Sequence, residues 1–113
     1  MLVDYNFPVV LVEGVFDAIS IRQNAIPLLG KTLSKELEKA LLTFKPNIYI
    51  CLDNDAIKDS IKLARKLIVN GLKVHIVEMP FGEDPSSLGY SKMWKLIKQA
   101  KPINELTLLA MSI

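Results

Sequence analysis

The sequence predicts an α/β fold with a central parallel sheet of about four strands and helices on both faces. Short runs rich in valine and isoleucine recur along the chain, which is typical of strands that are buried on both faces. Segments of helix length separate these runs, and this alternation indicates βαβ units with right-handed crossovers. Two of the runs end directly in acidic residues, which places charge at one edge of the predicted sheet.

Three of the predicted strands lie in the first half of the chain, at 8–12, 25–29 and 48–52. A short helix at 16–23 connects the first two. The next helix begins after Ser34, a plausible N-cap, and Glu36 is favourably placed in its first turn. Apolar residues continue at helical spacing until Pro46 breaks the helix. These apolar positions are Leu37, Leu41 and Phe44.

The second half begins with a helix that starts near Asp55 or Ala56 and ends at Asn70-Gly71, a usual C-cap pair. Its buried face is predicted to consist of Ile57, Ile61, Ala64 and Ile68. A fourth strand follows at 74–77, and a loop containing prolines and glycines occupies 79–89.

The last clear helix carries Met93, Ile97 and Ala100 on one side. The apolar tail after it is compatible with a final helix or with an edge strand. A chain of 113 residues, half of them apolar, has the size of one domain and can bury a core of its own. We therefore expect a single domain, 1–113, with its core at about 8–100 and a C-terminal tail at 101–113.

Composition narrows the class of protein. A single cysteine, Cys51, excludes an internal disulfide framework and a multi-cysteine zinc site, and it fits a reducing compartment. No apolar stretch approaches the roughly 18 residues that a membrane span needs, and the N-terminus lacks the features of a signal peptide. The net charge of +2 decides little by itself. We expect a soluble, cytoplasmic protein that does not bind membranes.

Acidic residues mark the ends of two strands and the loop after another. Glu13 follows the first strand, and Asp17 lies about one helical turn further on. Asp53 and Asp55 follow the third strand. A carboxylate at the end of a buried strand costs free energy unless a partner offsets it, and open parallel sheets bind ligands at this edge. We therefore predict an acidic crevice there, to which the loop after the fourth strand adds Glu83 and Asp84.

Clustered carboxylates without soft ligands suit Mg²⁺ or Mn²⁺ rather than zinc or copper. In phosphoryl transfer such an ion orients phosphate oxygens and neutralises developing charge. Glu13, crowded by neighbouring acids, is a candidate proton shuttle. Gly14 is predicted to let the backbone turn tightly so that a phosphate chain can approach. Lys31, after the second strand, is a candidate phosphate contact, although a solvated lysine is the more ordinary role.

The pattern Glu13-Gly14-x-x-Asp17 after one strand, with Asp53-x-Asp55 after another, resembles the Toprim domain, a Rossmann-like fold. This domain occurs in DnaG-type and bacteriophage primases, type IA and type II topoisomerases, OLD-type nucleases and RecR-type repair proteins. The resemblance covers about residues 9–88 and is greatest to primases. The segments that follow primase order and spacing are 12–18, 28–30, 52–56 and 79–85.

The resemblance implies roles for individual residues. Glu13 would be the family's metal-linked acid/base residue, and Asp53 and Asp55 would be its Mg²⁺ ligands. Asp17 and Asp84 would support the metal site.

Three positions depart from the primase pattern. Phe81 and Ser86 stand where primases often carry further acids, which weighs against an auxiliary metal site. Asn54 replaces a glycine that DnaG-type enzymes often have between the two aspartates. A full primase also contains a zinc-binding module and a basic subdomain that grips the template, and these 113 residues supply neither.

The resemblance implies Mg²⁺-dependent nucleotidyl transfer on nucleic acid. The chain is expected to be the catalytic Toprim domain of a DNA primase-like, bacteriophage-like replication protein, which makes RNA primers (a DNA-directed RNA polymerase activity) within a larger assembly. Expected partners are a single-stranded DNA template, nucleoside triphosphates, a helicase and a zinc-binding primase module. Two alternatives stay open: a small Toprim nuclease that activates water instead, and a non-catalytic RecR-like binding module in DNA repair.

Several features also have ordinary explanations. Each acid, taken singly, could be a helix cap or a first-turn acid. Gly30-Lys31-Thr32 mimics the end of a phosphate-binding loop, but Ala25 stands where that loop needs a glycine. His75 lies mid-strand and is predicted to be structural. A basic stripe on the third helix is usually a solvated face, but beside an acidic edge it can steer nucleic acid. The stripe consists of Lys58, Lys62, Arg65 and Lys66.

Overall fold

A computed structural model describes residues 3–28, 33–52 and 57–111 of the chain. These residues form one five-stranded sheet and six helices. In chain order, the elements are β1 (Val9–Val12), α1 (Val15–Ile21), β2 (Ala25–Pro27), α2 (Lys35–Phe44), β3 (Ile48–Cys51), α3 (Ile57–Val69), β4 (Val74–Ile76), α4 (Pro85–Leu88), α5 (Tyr90–Gln99), β5 (Pro102–Ile103) and α6 (Glu105–Met111). No helix among the described residues is long and apolar enough to cross a membrane.

The strands are ordered β2-β1-β3-β4-β5 across the sheet. The first four are parallel, as predicted, whereas β5 is antiparallel to β4, with Val74 paired to Ile103. The chain therefore runs from β1 to β2 on one side and then crosses over to β3 on the other side. The strand order reverses between β1 and β3, and this is the point where open α/β sheets bind ligands.

Helices cover both faces of the sheet, which confirms the predicted architecture. On one face, α1 and α5 pack against Val10 and Val12 of β1. On the other face, α2, α3 and α6 pack against Val9 and Leu11. All four residues of β1 are completely buried, so this central strand is apolar without alternation.

Helix α2 begins and ends where the sequence predicts. The Ser34 hydroxyl accepts a hydrogen bond from the Leu37 N–H at 3.1 Å, a cap that typically contributes about 1 kcal/mol. At the other end, Lys45 adopts a left-handed conformation with φ of 48°. Its N–H donates to the Leu41 carbonyl at 2.8 Å, and Pro46 follows immediately.

Two apolar positions of the predicted helices are not fully buried in the structure. Phe44 is 59% exposed, and its ring stacks on Tyr5 with 5.2 Å between the centroids. Ile68 is only half-buried, whereas its neighbour Leu67 is 1% exposed, so the buried face of α3 is rotated toward Leu67. The other predicted positions of α3 whose side chains are described, Ile61 and Ala64, are buried.

The segment predicted as a loop at 79–89 contains the short helix α4. Asp84 is its N-cap, and Pro85 occupies its first position. A backbone N–H at that position has no partner within the helix, so its absence in proline costs the helix no hydrogen bond. The prediction of a loop was therefore wrong at 85–88, because a proline is compatible with the first position of a helix.

The sequence predicted either a final helix or an edge strand for the C-terminal tail, and the structure contains both. β5 has two residues and is defined by its pairing with β4, which no periodicity in the tail reveals. α6 follows it and buries Leu108 completely in the core that α2 and α3 share.

Burial makes the stability of the chain depend on pH through its one histidine. His75 is 5% exposed, stacks on Tyr49 at 4.2 Å between centroids, and lies with Nδ1 3.2 Å from the Ile48 carbonyl. Burial lowers the pKa of His75 despite that carbonyl contact. The unfolded chain therefore takes up a proton first, and stability should fall as pH drops below about 6.5.

Urea unfolding between about pH 5 and 8 measures this loss, and His75→Gln should flatten the pH dependence in that range. If the free energy of unfolding depended on pH equally in the variant and the wild type, other titratable groups would be its cause.

Candidate metal centre at the carboxyl edge of the sheet

The candidate centre lies where β1 and β3 end side by side. Val12 pairs with Cys51, so the two strands finish at the same level of the sheet. Glu13 follows β1 directly and is half-buried. Asp53 and Asp55, which follow β3 in the sequence, lie outside the described residues, and so does Lys31.

Gly14 and Asp17 form the first turn of α1. The Gly14 N–H donates to Asp17 Oδ2 at 3.1 Å. Gly14 has φ of −122° and ψ of 167°, an extended conformation that any residue can adopt. The chain bends at Glu13 and Gly14, but this bend does not require a backbone conformation that only glycine adopts. A Cβ at this position would lie 3.4 Å from Asp17 Oδ2, which is an ordinary van der Waals contact.

The second oxygen of Asp17 connects α1 to α4. Oδ1 accepts a hydrogen bond from the Ser86 N–H at 3.2 Å, across 69 positions of sequence. Asp17 thus accepts two backbone N–H groups, one from each of two elements that border the carboxyl edge. Its described contacts are structural, and its part in holding a metal stays a prediction.

Asp84 is placed next to this link. Its Oδ1 accepts hydrogen bonds from Ser86 Oγ at 2.7 Å and from the Ser87 N–H at 2.8 Å. The Ser86 hydroxyl and, next to it, the Ser87 N–H hold the pKa of Asp84 below its usual value. Ser86 therefore contacts Asp17 through its backbone and Asp84 through its side chain, and it brings the two acids to the same corner of the molecule.

Cys51, the thiol in β3, is suited neither to binding a metal nor to nucleophilic chemistry. Cys51 is 1% exposed. Burial raises the pKa of its thiol, and the charge of Asp17 raises it further. A thiol that stays protonated is a poor ligand and a poor nucleophile. Within the ranges 3–28, 33–52 and 57–111, no three histidine, cysteine, aspartate or glutamate residues come together as a metal cluster.

A protein-family model described as Toprim-like matches residues 10–88. The chain belongs to the Toprim-like family. The match begins in β1 and ends in α4, so it includes every predicted metal ligand, from Glu13 to Asp84. α5, β5 and α6 follow the matched segment.

Curated relatives of this Toprim-like chain are named DNA primase. One from Pseudomonas aeruginosa is 31% identical, in a match that covers 86% of this chain and 17% of the relative. One from Thermotoga maritima is 28% identical, and the match covers 81% of this chain and 18% of the relative. The chain therefore spans less than a fifth of the length of these relatives.

Solved structures with the same fold are also primases. The Aquifex aeolicus primase, comprising zinc binding and RNA polymerase domains, matches with a TM-score of 0.73 and 25% identity over 85% of this chain and 26% of that one. The E. coli primase catalytic core matches with a TM-score of 0.69 and 24% identity over 93% of this chain and 37% of that one. The predicted resemblance to primase Toprim domains is confirmed.

Ser86 is the residue of this corner that the sequence did not identify as important. It was noted only as a missing acid, whereas the structure places it between Asp17 and Asp84. The sequence does carry a local signal, because aspartate followed by proline is typical of a helix start and its next N–H groups are free to donate. Phe81, the other departure from the primase pattern, is 96% exposed.

Replacing Asp17 with asparagine should lower the free energy of unfolding by about 1–3 kcal/mol even without metal. An amide offers one oxygen where the carboxylate offers two, so one of the N–H groups of Gly14 and Ser86 loses its acceptor. Denaturant unfolding in EDTA isolates this effect from metal binding.

Asp59→Asn is the matched control, because Asp59 is the third residue of α3 as Asp17 is of α1, but it is exposed. Equal destabilisation by the two variants would contradict a bracing role for Asp17.

Proposed function

We propose that this Toprim-like chain is the metal-binding catalytic domain of a primase-type nucleotidyltransferase. The observation that supports the proposal is the pairing of Val12 with Cys51, since β1 and β3 then end at the same level at the strand-order reversal. Glu13 and the Asp53-x-Asp55 segment follow these two strands in the sequence. In this proposal Glu13, Asp53 and Asp55 hold a divalent cation, and Asp17 and Asp84 support the site.

The chemistry of the residues at this edge fits Mg²⁺ or Mn²⁺. All the candidate donors are carboxylates, and Asp84 stays ionised because hydrogen bonds keep its pKa low. Hard oxygen donors suit these ions, whereas Cys51, the one thiol of the chain, is buried and protonated. A divalent ion bound there would orient phosphate oxygens and neutralise charge during phosphoryl transfer.

The protein's own groups would position and deprotonate the reactants. Glu13, half-buried directly after β1, is proposed to accept the proton of an attacking hydroxyl. The link from Asp17 to Ser86 keeps the first turn of α1 fixed against α4 at this edge. Lys31, four residues after the end of β2, is proposed to contact a phosphate of the incoming nucleotide.

The remaining parts of the activity belong to other modules. The matched primases are several times longer than this chain, and one of the solved structures is described as including a zinc binding domain. We therefore propose that a single-stranded template and nucleoside triphosphates are bound jointly by this domain and by a zinc-binding module, with a helicase as a further partner.

The test is an assay of the chain, alone and with a zinc-binding primase module, on single-stranded DNA with ribonucleotides and Mg²⁺. Primer synthesis that stops in EDTA supports the proposal. A second arm contains labelled DNA or RNA without ribonucleotides, and cleavage there without synthesis in the first arm would replace the primase by a nuclease. Failure of the chain to bind Mn²⁺ in a titration would overturn both.

A further inference from the structure

The outer face of α3 carries a row of three cations, Lys58, Lys62 and Arg65, here called the α3 row. They occupy positions i, i+4 and i+7, which lie close together on one side of a helix. All three side chains are exposed. With a rise of 1.5 Å per residue, the row extends about 10 Å along the helix axis.

Within the described part of the chain, no ion pair joins the α3 row to an acid. The one ion pair recorded in the described part of the chain joins Lys66 Nζ to Glu38 Oε2 at 3.3 Å, between α3 and α2. Lys66, the fourth basic residue of the predicted stripe, is therefore partly neutralised. The α3 row has no such pair within the same part of the chain, although Asp59 lies on the same helix.

The α3 row begins beside the candidate metal centre. α3 starts at Ile57, directly after the segment that contains Asp53 and Asp55. Because α3 follows a parallel strand, its first turn lies at the carboxyl edge of the sheet and its axis leads away from that edge. The charges thus extend from the acidic edge along the surface of the molecule.

We propose that the α3 row binds the phosphates of a single nucleic-acid strand and leads that strand to the carboxyl edge between β1 and β3. The choice of ligand rests on the proposed function. The three cations lie about 6 and 4.5 Å apart along the helix axis, so each can contact a separate phosphate of one strand. A narrow line of charge on one helix fits one strand, and the contacts are to the backbone, without a preference for sequence.

A second basic surface, on α5, provides a matched control. Lys92, Lys95 and Lys98 are exposed as well, but a spacing of three residues rotates each by about 60° from the last, so they spread around the helix. α5 also packs on the opposite face of the sheet. Replacing all three residues by glutamine in either helix removes the same charge, from a chain whose net charge is +2.

The experiment measures binding of the whole chain to a labelled single-stranded oligonucleotide in EDTA at a series of salt concentrations. Replacing the α3 row by glutamine should reduce the slope of log K against log salt by about 2, since each contact to a single strand contributes about 0.7. Lys62→Gln alone should reduce it by about 0.7. The α5 triple variant and Lys66→Gln should bind nearly as the wild type does.

Three results would overturn the proposal: no binding by the wild type, equal loss in the two triple variants, or tighter binding of a duplex than of a single strand. Glutamine is a good helix former, and thermal melts check that each variant is folded.

The variant Asp53→Asn distinguishes failure of the α3 row from failure of the proposed function. Loss of primer synthesis with DNA binding retained in EDTA is expected for that variant, whereas retained synthesis would refute the metal site and leave the α3 row standing.

Discussion

Replacing Asp53 and Asp55 together with asparagine is expected to remove divalent-metal binding and to lower metal-dependent activity by more than about 100-fold. Loss of a residue that only orients a metal ligand typically costs about 10–100-fold, so loss of the ligands themselves should cost more. Asparagine keeps the size of the side chain and one oxygen, but it removes the two negative charges that would hold the ion.

Mn²⁺ titration and the primer-synthesis assay measure this effect on the same samples. Asp4→Asn is the control, because Asp4 is an exposed acid on the opposite edge of the sheet. Its position there is shown by a hydrogen bond from the Asn24 side chain, just before β2, to the Asp4 backbone carbonyl. Unchanged metal affinity in the double variant would contradict the proposed centre. Equal losses of metal affinity and primer synthesis in Asp4→Asn would show that the effect comes from overall charge.

Replacing Leu108 with alanine is expected to lower the free energy of unfolding by about 2–5 kcal/mol. Leu108 has no exposed surface and lies in the core shared by α2, α3 and the sheet, so alanine leaves a cavity there. A domain of this size is typically stable by about 5–15 kcal/mol, so the change would be a large part of the total.

Leu109→Ala is the control in the same helix, because Leu109 is 58% exposed and its replacement should change stability by less than about 0.5 kcal/mol. Denaturant midpoints of the two variants give the comparison. Equal losses of stability in Leu108→Ala and Leu109→Ala would show that α6 does not pack on the core through Leu108.

The positions of the four parallel strands could be predicted because their signal is local. Each is a short apolar run, and β1 is buried on both faces, so its sequence is apolar without interruption. The start of α2 was also predictable, since Ser34 supplies the cap within its own turn. These features depend on residues that are neighbours in the chain.

The elements that were missed depend on contacts between distant residues. β5 exists because Val74 and Ile103 pair, and α6 is anchored because Leu108 reaches a core built from β1, α2 and α3. No periodicity in a tail of this length identifies either.

The sequence by itself determined which acids follow which strands, and with them the family of the chain. Glu13, Asp53 and Asp55 follow short apolar runs that are typical of buried strands, and their order and spacing match the Toprim pattern. Only the tertiary structure decided what surrounds them. It made β1 and β3 neighbours, and it joined Asp17 to Ser86 across 69 positions. The reason is that strand order and side-chain-to-backbone hydrogen bonds are fixed when the elements pack together, which a local pattern does not encode.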